Sequence, residues 1–266
     1  MPTVVFNNVE EEERELIIPL VVIEGDTIPE VWEEALSSTY HFGTIIKTEY
    51  GELSKDCMMI MIVREPLKEP RIHKAGLCIG KLTDLYDYVR EVIDGVRDYL
   101  VREGRLEYTY HERLFSYTID GEVVNQINYV IQKLSKAPYT RRAQAITWRP
   151  NKDTRIDYPP CLQRLWFRIK DGKLVMHSYW RSRDAFKASF MNVFVLTELQ
   201  RLIASKLGVE VGEYVDISDS YHIYESDWNR VEKILEELQK RDWKEKTWTS
   251  DYYYRLIKVR PKFNLE

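Results

Sequence analysis

Hydrophobic residues along the chain change repeatedly between strand-like and helix-like spacing. Continuous or alternating apolar runs predict strands at 16–23, 58–63, 143–148, 165–169, 173–180, 214–224 and 252–259. Apolar residues that recur every three or four positions predict helices at 29–36, 82–101, 125–134, 193–207 and 227–240. Because these segments follow no regular βαβ order, the pattern favours an α+β fold over a doubly wound one.

Some of these predicted elements carry further local signals. The continuous apolar run at 58–63 predicts a strand that is buried on both faces. Asp171-Gly172 separates two strand-like runs and is typical of a tight hairpin turn, since glycine readily adopts positive φ. Thr27 or Asp26 is the expected cap of the first predicted helix.

Length and composition are those of an ordinary globular protein. The chain has 266 residues, long enough for a sizeable core, and it contains no Ser/Gly-rich linker or repeat that would divide it into domains. Its content of 44% hydrophobic and 31% charged residues indicates a soluble protein. A net charge of −4 argues against non-specific binding of nucleic acid, which requires a basic surface. We therefore expect one domain and no nucleic-acid partner.

The three cysteines, Cys57, Cys78 and Cys161, are odd in number and lack the spacing of metal ligands. We therefore expect no disulfide framework, no bound metal, and a reducing, cytoplasmic environment. The apolar run at 16–23 is too short for a membrane span, which needs about 20 apolar residues. An acidic run at 10–13 precedes it, where a signal peptide would carry basic residues. We expect a buried strand there and no association with membranes.

Cys161 is the candidate nucleophile. It follows Pro159-Pro160, whose fixed φ angles hold the backbone before the thiol. Arg181-Ser182 downstream offers a cation and a hydroxyl to the same site. Thiolate is the nucleophilic form of cysteine, and a nearby guanidinium lowers the pKa of a thiol. The alternative interpretation is a small buried hydrophobe, which is the interpretation we keep for the other two cysteines.

Residues 141–224 resemble thymidylate synthase of the folate-dependent, cysteine-nucleophile type. The motifs that carry the resemblance are, in order, Arg141-Arg142, Ala145-Ile146-Thr147-Trp148, Pro159-Pro160-Cys161-Leu162-Gln163, Phe167-Arg168-Ile169-Lys170-Asp171-Gly172-Lys173-Leu174, Tyr179-Trp180-Arg181-Ser182-Arg183-Asp184, Asn192, Leu199 and His222-Ile223-Tyr224. Residues 1–100 match less clearly, so the chain resembles a divergent, archaeal-type member. The resemblance implies one domain over 1–266, with a mixed β-sheet flanked by helices.

The resemblance also implies an activity. It predicts a methyltransferase that converts dUMP to dTMP and works as a homodimer with shared active sites. The cosubstrate is 5,10-methylenetetrahydrofolate or a related tetrahydropterin, which supplies carbon and hydride. Addition of the Cys161 thiolate to C6 of uracil makes C5 nucleophilic enough to accept the one-carbon unit.

Several arginines have implied roles at the phosphate of the nucleotide. Arg181 contacts phosphate near the thiol, and Ser182 adds a hydroxyl to the same group. Arg141 and Arg142 reach across the dimer interface to the phosphate bound by the other subunit. Guanidinium groups suit this role because they bind phosphate oxygens in pairs. For an arginine pair alone, the common alternative is a solvated basic patch.

The resemblance assigns the remaining substrate contacts to four residues. Asn192 pairs with O4 and N3–H of uracil, because an amide offers both a donor and an acceptor; it is also a candidate helix cap. His222 and Tyr224 lie on one face of an extended segment and hold the 3′-hydroxyl of the deoxyribose. Asp184 holds the pterin ring. Asparagine at 192 favours dUMP over dCMP, because cytosine-directed relatives carry an acid there.

The upstream matches are fainter. Lys47 lies where the family has the arginine of a phosphate loop. Glu91 resembles the glutamate that relays protons through water to O4, and Tyr110 resembles the tyrosine that helps remove the C5 proton. Glu107 and Glu112 are alternative candidates for the role of the glutamate.

Two departures from the family leave alternatives open. Leu162 replaces the usual histidine after the cysteine, and 261–266 lacks the small apolar ending that closes over folate. The carbon donor is therefore a methylenetetrahydrofolate or another pterin such as a methanopterin. A second possible activity is hydroxymethylation of a pyrimidine nucleotide. Asn192 argues against dCMP as its substrate but not against dUMP. A nucleotide-binding homologue without turnover is a third alternative.

Overall fold

The computed structural model describes residues 3–5, 17–77, 83–256 and 258. The strands are Thr3–Val5 (β1), Leu20–Gly25 (β2), Thr44–Lys47 (β3), Leu53–Val63 (β4), Ile72–His73 (β5), Tyr117–Ile119 (β6), Glu122–Val124 (β7), Gln144–Ile146 (β8), Leu162–Lys170 (β9), Lys173–Trp180 (β10), Arg183–Asp184 (β11), Glu210–Tyr224 (β12) and Thr247–Trp248 (β13). The helices are Ile28–Phe42 (α1), Asp84–Asp94 (α2), Asp98–Arg102 (α3), Tyr110–Phe115 (α4), Gln126–Lys136 (α5), Pro150–Asp153 (α6), Ser189–Leu207 (α7), Trp228–Gln239 (α8), Trp243–Lys246 (α9) and Ser250–Leu256 (α10).

A mixed sheet organises the molecule. Its strand order is β1-β2-β4-β12-β10-β9-β8, with β3 paired to β4 and β11 paired to β12. The pairs β2–β4 and β10–β12 are parallel, whereas β4–β12 and β9–β10 are antiparallel. Helices α1 and α7 pack against this sheet. The predicted α+β class and the mixed sheet flanked by helices are confirmed.

The two faces of the sheet differ in how completely they are covered. In β4, Met59, Met61 and Val63 are fully buried, whereas the alternating Met58 and Ile60 are half-buried. The prediction of a strand buried on both faces is therefore wrong for the single chain. Successive side chains point to opposite faces, and helix α1 packs on this strand. The sheet keeps a second, partly exposed apolar face.

Several local predictions are confirmed by the structure. Thr27 caps α1 in a reciprocal capping box with Glu30, and the helix runs to Phe42, beyond the predicted range 29–36. At the β9–β10 hairpin, Asp171 and Gly172 have φ angles of 51° and 75°. The helices predicted at 125–134, 193–207 and 227–240 correspond to α5, α7 and α8.

Two predicted elements differ from the structure. The helix predicted at 82–101 is divided into α2 and α3 at Gly95, which has a φ of 64° and packs against His111 where a side chain would lie. The strand predicted at 252–259 is helical as far as Leu256, because its fully buried Tyr253 docks on the backbone of Tyr86 in α2. Cys78 and the tail at 261–266 lie outside the described residues.

Strand β12 contains an irregularity that shapes the site. Its register against β4 shifts between Ser218 and Tyr221, which marks a β-bulge. After the bulge, His222 lies opposite Asp56 and Tyr224 lies opposite Ser54. Among the helices that the structure describes, none has the length and apolarity needed to span a membrane.

Candidate active site

A cavity of about 730 Å³ opens where the ends of β3, β10 and β12 meet helices α2, α4 and α7. It brings together most of the residues assigned from the sequence. Those that line it are Lys47, Tyr110, Cys161, Arg181, Ser182, Asp184, Asn192, His222 and Tyr224. Residues up to 177 positions apart in the chain thus surround one space. Glu91, Arg141 and Arg142 are absent from its lining.

Cys161 is held by the arginine that was expected beside it. The Arg181 guanidinium donates from Nη2 to the Pro159 carbonyl at 2.7 Å and from Nε to the Pro160 carbonyl at 3.1 Å. The Arg181 backbone N–H donates to the Cys161 carbonyl at 3.0 Å. Burial raises the pKa of the Cys161 thiol, and the charges of Arg181 and Arg183 oppose that rise. The half-buried thiol therefore lies in a cationic setting.

The sequence assigned no role to Arg183. Its exposed fraction is 2%. Its guanidinium forms an ion pair with Asp216, which is itself fully buried. Asp216 also accepts hydrogen bonds from Tyr214 at 2.6 Å, Ser178 at 2.9 Å and the Trp180 indole at 3.2 Å. This network ties the loop between β10 and β11 to the sheet, with a positive charge under the cavity.

Asn192 lies in the first turns of α7, and its side chain is fixed by Tyr88. The Tyr88 hydroxyl donates to Asn192 Oδ1 at 2.6 Å, and both residues line the cavity. Ala188, not Asn192, occupies the cap position of the helix, so the capping alternative is wrong. Because Tyr88 occupies one lone pair of Oδ1, the orientation of the amide is set before a ligand binds.

Tyr88 was not identified from the sequence, and it stands where Glu91 was expected. Glu91 lies one turn further along α2 and pairs with Arg97 at 3.1 Å. Burial raises the pKa of Glu91. Tyr88 follows the buried Leu85 by three positions, which places it on the inner face of the helix. That spacing was the available signal, and the role given to Glu91 remains a prediction.

His222 and Tyr224 lie side by side in the cavity lining, where their rings make an edge contact with centroids 4.8 Å apart. Burial lowers the pKa of His222, and the charge of Asp184 opposes that change. Asp184 accepts the Lys187 backbone N–H at 2.6 Å, and the Lys187 ammonium bridges it to Asp227. The carboxylate proposed to hold a pterin is thus already oriented by its own turn and by the Lys187 side chain.

The residues that the sequence predicts to bind phosphate are spread over two parts of the surface. Lys47 is exposed at the end of β3 and lines the cavity with Arg181 and Ser182. Arg141 and Arg142 are exposed beside β8, at the edge of the sheet. Within one chain, therefore, the arginine pair is separate from the cavity.

Tyr110 and Leu162 lie next to Cys161 and are joined by a hydrogen bond. The Leu162 backbone N–H donates to the Tyr110 hydroxyl at 3.3 Å, and burial raises the pKa of Tyr110 well above its usual range. Leu162 itself is fully buried. The position after the cysteine therefore packs into the core.

Asp56 is a second cavity residue that the sequence reasoning missed. It is 3% exposed and lies opposite His222 in the β4–β12 register. Asp56 Oδ2 accepts the Ser220 hydroxyl at 2.5 Å, whereas Oδ1 has no partner among the described residues. Burial raises the pKa of Asp56 to about 6. A single acid at the start of a long apolar strand was the signal that could have revealed it.

The Asp56 carboxyl is predicted to make stability depend on pH. Its folded-state pKa lies above that of an unfolded chain, so its contribution is complete below about pH 4 and is lost as the pH rises through about 6. Asp56→Asn should therefore raise the free energy of unfolding by about 1–3 kcal/mol more at pH 8 than at pH 4. Urea unfolding at both pH values measures this, with the exposed Asp219→Asn as control. Equal effects at the two pH values would contradict it.

The mixed sheet and the cavity that contains Cys161 define an α+β protein with a candidate nucleophile in its cavity. A family model described as "Thymidylate synthase" matches residues 79–249. Relatives named "Putative thymidylate synthase" include one from Methanosarcina mazei, 35% identical over 216 residues (80% of this chain, 94% of the relative). Another is from Methanocaldococcus jannaschii, 30% identical over 232 residues (84% and 100%). The chain belongs to the thymidylate synthase family.

Proposed function

We propose that this protein is a thymidylate synthase that converts dUMP to dTMP, with Cys161 as nucleophile and a methylene-tetrahydropterin as donor of carbon and hydride. The observation that carries the proposal is the single cavity shared by Cys161, Arg181, Asn192 and His222. In that order, these residues would act as the nucleophile, bind the phosphate, form hydrogen bonds to the uracil ring and contact the sugar. Each matches one part of dUMP.

The thiolate of Cys161 adds to C6 of uracil, and the electrons of the C5–C6 double bond move towards C5 and O4. Arg181 and Arg183 place positive charge near the thiolate and the developing enolate. C5 then bonds to the one-carbon unit of the cosubstrate. Loss of the C5 proton expels the pterin amine and leaves an exocyclic methylene on a uracil that is still bonded to Cys161, whose thiolate leaves C6 when hydride reaches the methylene. Hydride from the tetrahydropterin reduces the methylene, which gives dTMP and the dihydropterin.

Tyr110 has an indirect part in the removal of the C5 proton. Because burial raises its pKa well above the usual range, the phenol stays protonated throughout the working pH range. It therefore acts as a hydrogen-bonding group that positions a proton acceptor. Direct abstraction by a phenolate would require a much lower pKa.

Uracil is selected by the amide of Asn192. With Oδ1 already accepting from Tyr88, the second lone pair of Oδ1 accepts N3–H and Nδ2 donates to O4. Cytosine presents the reverse pattern, an amino donor at C4 and an acceptor at N3. It would leave buried polar groups unpaired, which is the stronger basis for discrimination.

The partly exposed face of the sheet supports a homodimer. Apolar side chains that are half-buried and adjacent across strands form it: Leu20, Val22, Met58, Ile60, Ile62, Val175, Tyr179, Val215 and Ile217. A contiguous apolar surface of this kind marks an association site. In such a dimer the proposal requires Arg141 and Arg142, which are exposed beside β8, to reach the phosphate in the neighbour's cavity.

Cys161 is predicted to form a covalent adduct with 5-fluoro-dUMP and a methylene-tetrahydropterin, because fluorine cannot leave C5 as a proton does. Peptide mapping by mass spectrometry locates the adduct. Cys161→Ser should abolish it, whereas Cys57→Ser should retain it, since burial raises the pKa of Cys57 to about 12 and keeps it a thiol. An adduct on another residue, or full turnover by Cys161→Ser, would refute the assignment.

Tyr88→Phe is predicted to weaken selection of uracil, because the amide of Asn192 loses the bond that orients it. The ratio of kcat/KM for dUMP to that for dCMP should fall by about 5-fold or more, the effect of losing one hydrogen bond. Asn192→Asp should move the ratio further towards dCMP. The exposed Tyr99→Phe serves as control. An unchanged ratio in both site variants would show that the pair does not read the base.

The shared active site predicts complementation between two inactive chains. Cys161→Ala lacks the nucleophile, and Arg142→Ala lacks a phosphate ligand for the neighbouring site. Mixed heterodimers contain one site with both groups intact, so activity should return to about a quarter of the wild-type level when the chains mix randomly. Dissociation and reassociation followed by a dTMP assay tests this. Full activity of a monomer, shown by light scattering at the assay concentration, would contradict the proposal.

A further inference from the structure

Asp56 is a buried acid in the cavity for which the methylation chemistry has no use. We propose that its free carboxylate oxygen accepts a hydrogen bond from a sugar hydroxyl of the bound nucleotide and thereby helps to select and orient the sugar. The inference rests on the proposed function, since it takes a uridine nucleotide as the ligand. It adds a third sugar contact to the pair formed by His222 and Tyr224.

The sheet places Asp56 next to that pair. Asp56 faces His222 across the β4–β12 ladder, and Ser54 faces Tyr224. Residues directly opposite in an antiparallel ladder have side chains on the same face, with Cβ atoms about 5 Å apart. All four residues line the cavity. The position of Asp56 is thus fixed by strand register instead of by a mobile loop.

The two oxygens of Asp56 are in different states. Oδ2 accepts the Ser220 hydroxyl, whereas Oδ1 is buried without a partner among the described residues. Neither neighbouring lysine neutralises the acid: Lys55 Nζ donates to the Tyr40 carbonyl at 2.7 Å, and Lys187 pairs with Asp227. A buried acceptor without a donor is costly, so an oxygen kept in this state indicates a missing partner.

The chemistry of the missing partner is that of a neutral donor. A phosphate would be repelled by the carboxylate, which has no cation among its hydrogen-bond partners in the described residues. A sugar hydroxyl carries one proton to donate and no charge. The deoxyribose of dUMP presents its 3′-hydroxyl for this purpose, and a ribose presents a 2′-hydroxyl as well.

Ser220 links the acid to the histidine. Its hydroxyl donates to Asp56 and lies 3.3 Å from His222 Nδ1. Since the serine proton is given to Asp56, the contact with His222 requires the proton to be on Nδ1, which leaves Nε2 as an acceptor. Asp56 therefore sets the tautomer of His222 as well as offering its own oxygen. The cluster therefore offers two acceptors: Asp56 takes the single proton of the 3′-hydroxyl, and His222 Nε2 is left for a second donor such as the 2′-hydroxyl of a ribose.

The test measures binding by calorimetry, independent of turnover, with dUMP, its 3′-deoxy analogue, its 3′-fluoro analogue and UMP. For the wild-type protein, removal of the 3′-hydroxyl should weaken binding about tenfold or more, the effect of one hydrogen bond to a charged group. The 3′-fluoro analogue should bind as weakly as the 3′-deoxy analogue, because fluorine does not donate. In Asp56→Ala the difference between dUMP and both analogues should shrink to about twofold.

The exposed Asp219→Ala is the matched control and should retain the wild-type pattern. If instead the wild-type protein prefers UMP about tenfold over dUMP and Asp56→Ala loses that preference, the acceptor serves the 2′-hydroxyl and the proposal stands. Tight binding of the 3′-fluoro analogue by the wild-type protein, together with no preference for UMP, would overturn the proposal. This measurement uses the wild-type protein alone and therefore does not depend on whether a variant folds. Equal losses in wild type and Asp56→Ala would also overturn it. Absence of dUMP binding altogether would refute the proposed function as well.

Discussion

The buried ion pair between Arg183 and Asp216 is the interaction on which the site depends. A charge removed from water needs a partner, and breaking such a pair by removing one member commonly costs about 3–5 kcal/mol. Asp216 is surrounded by donors from β10 and β12, and its link to Arg183 fixes the loop that follows β10. That loop begins with Arg181, which grips the two proline carbonyls before Cys161. The position of the thiol thus depends on the core of the sheet.

The cavity carries charges of both signs, and under the proposed function these charges would orient the nucleotide. Arg181 and Arg183 contribute positive charge near the thiol, and Lys47 lies opposite Leu53 at the start of β4. Asp56 and Asp184 contribute carboxylates around His222, and Lys187 pairs with Asp184. The phosphate dianion, the uracil N3–H and the sugar hydroxyl of dUMP would match these charges in one orientation. Electrostatic complementarity of this kind determines the orientation of a ligand more than its affinity.

Much of this arrangement was readable from the sequence, because it depends on local motifs. Cys161 after two prolines and Arg181-Ser182 were identified from residue type and spacing, Asn192 was identified from the family resemblance, and the fold brings them to one cavity. Tyr88 and Asp56 were missed for a physical reason. Their importance comes from partners far along the chain, Asn192 and His222, which strand register and helix packing alone bring close.

The most direct measurement of the central claim is the release of tritium from [5-³H]dUMP, with the nucleotide product identified. The reaction is run with methylenetetrahydrofolate and, separately, with a methylene-tetrahydromethanopterin. The account predicts tritium release that depends on Cys161, with dTMP as the product and the dihydropterin formed in equal amount. Release that yields 5-hydroxymethyl-dUMP, or no release with either cosubstrate despite binding of dUMP, would contradict it.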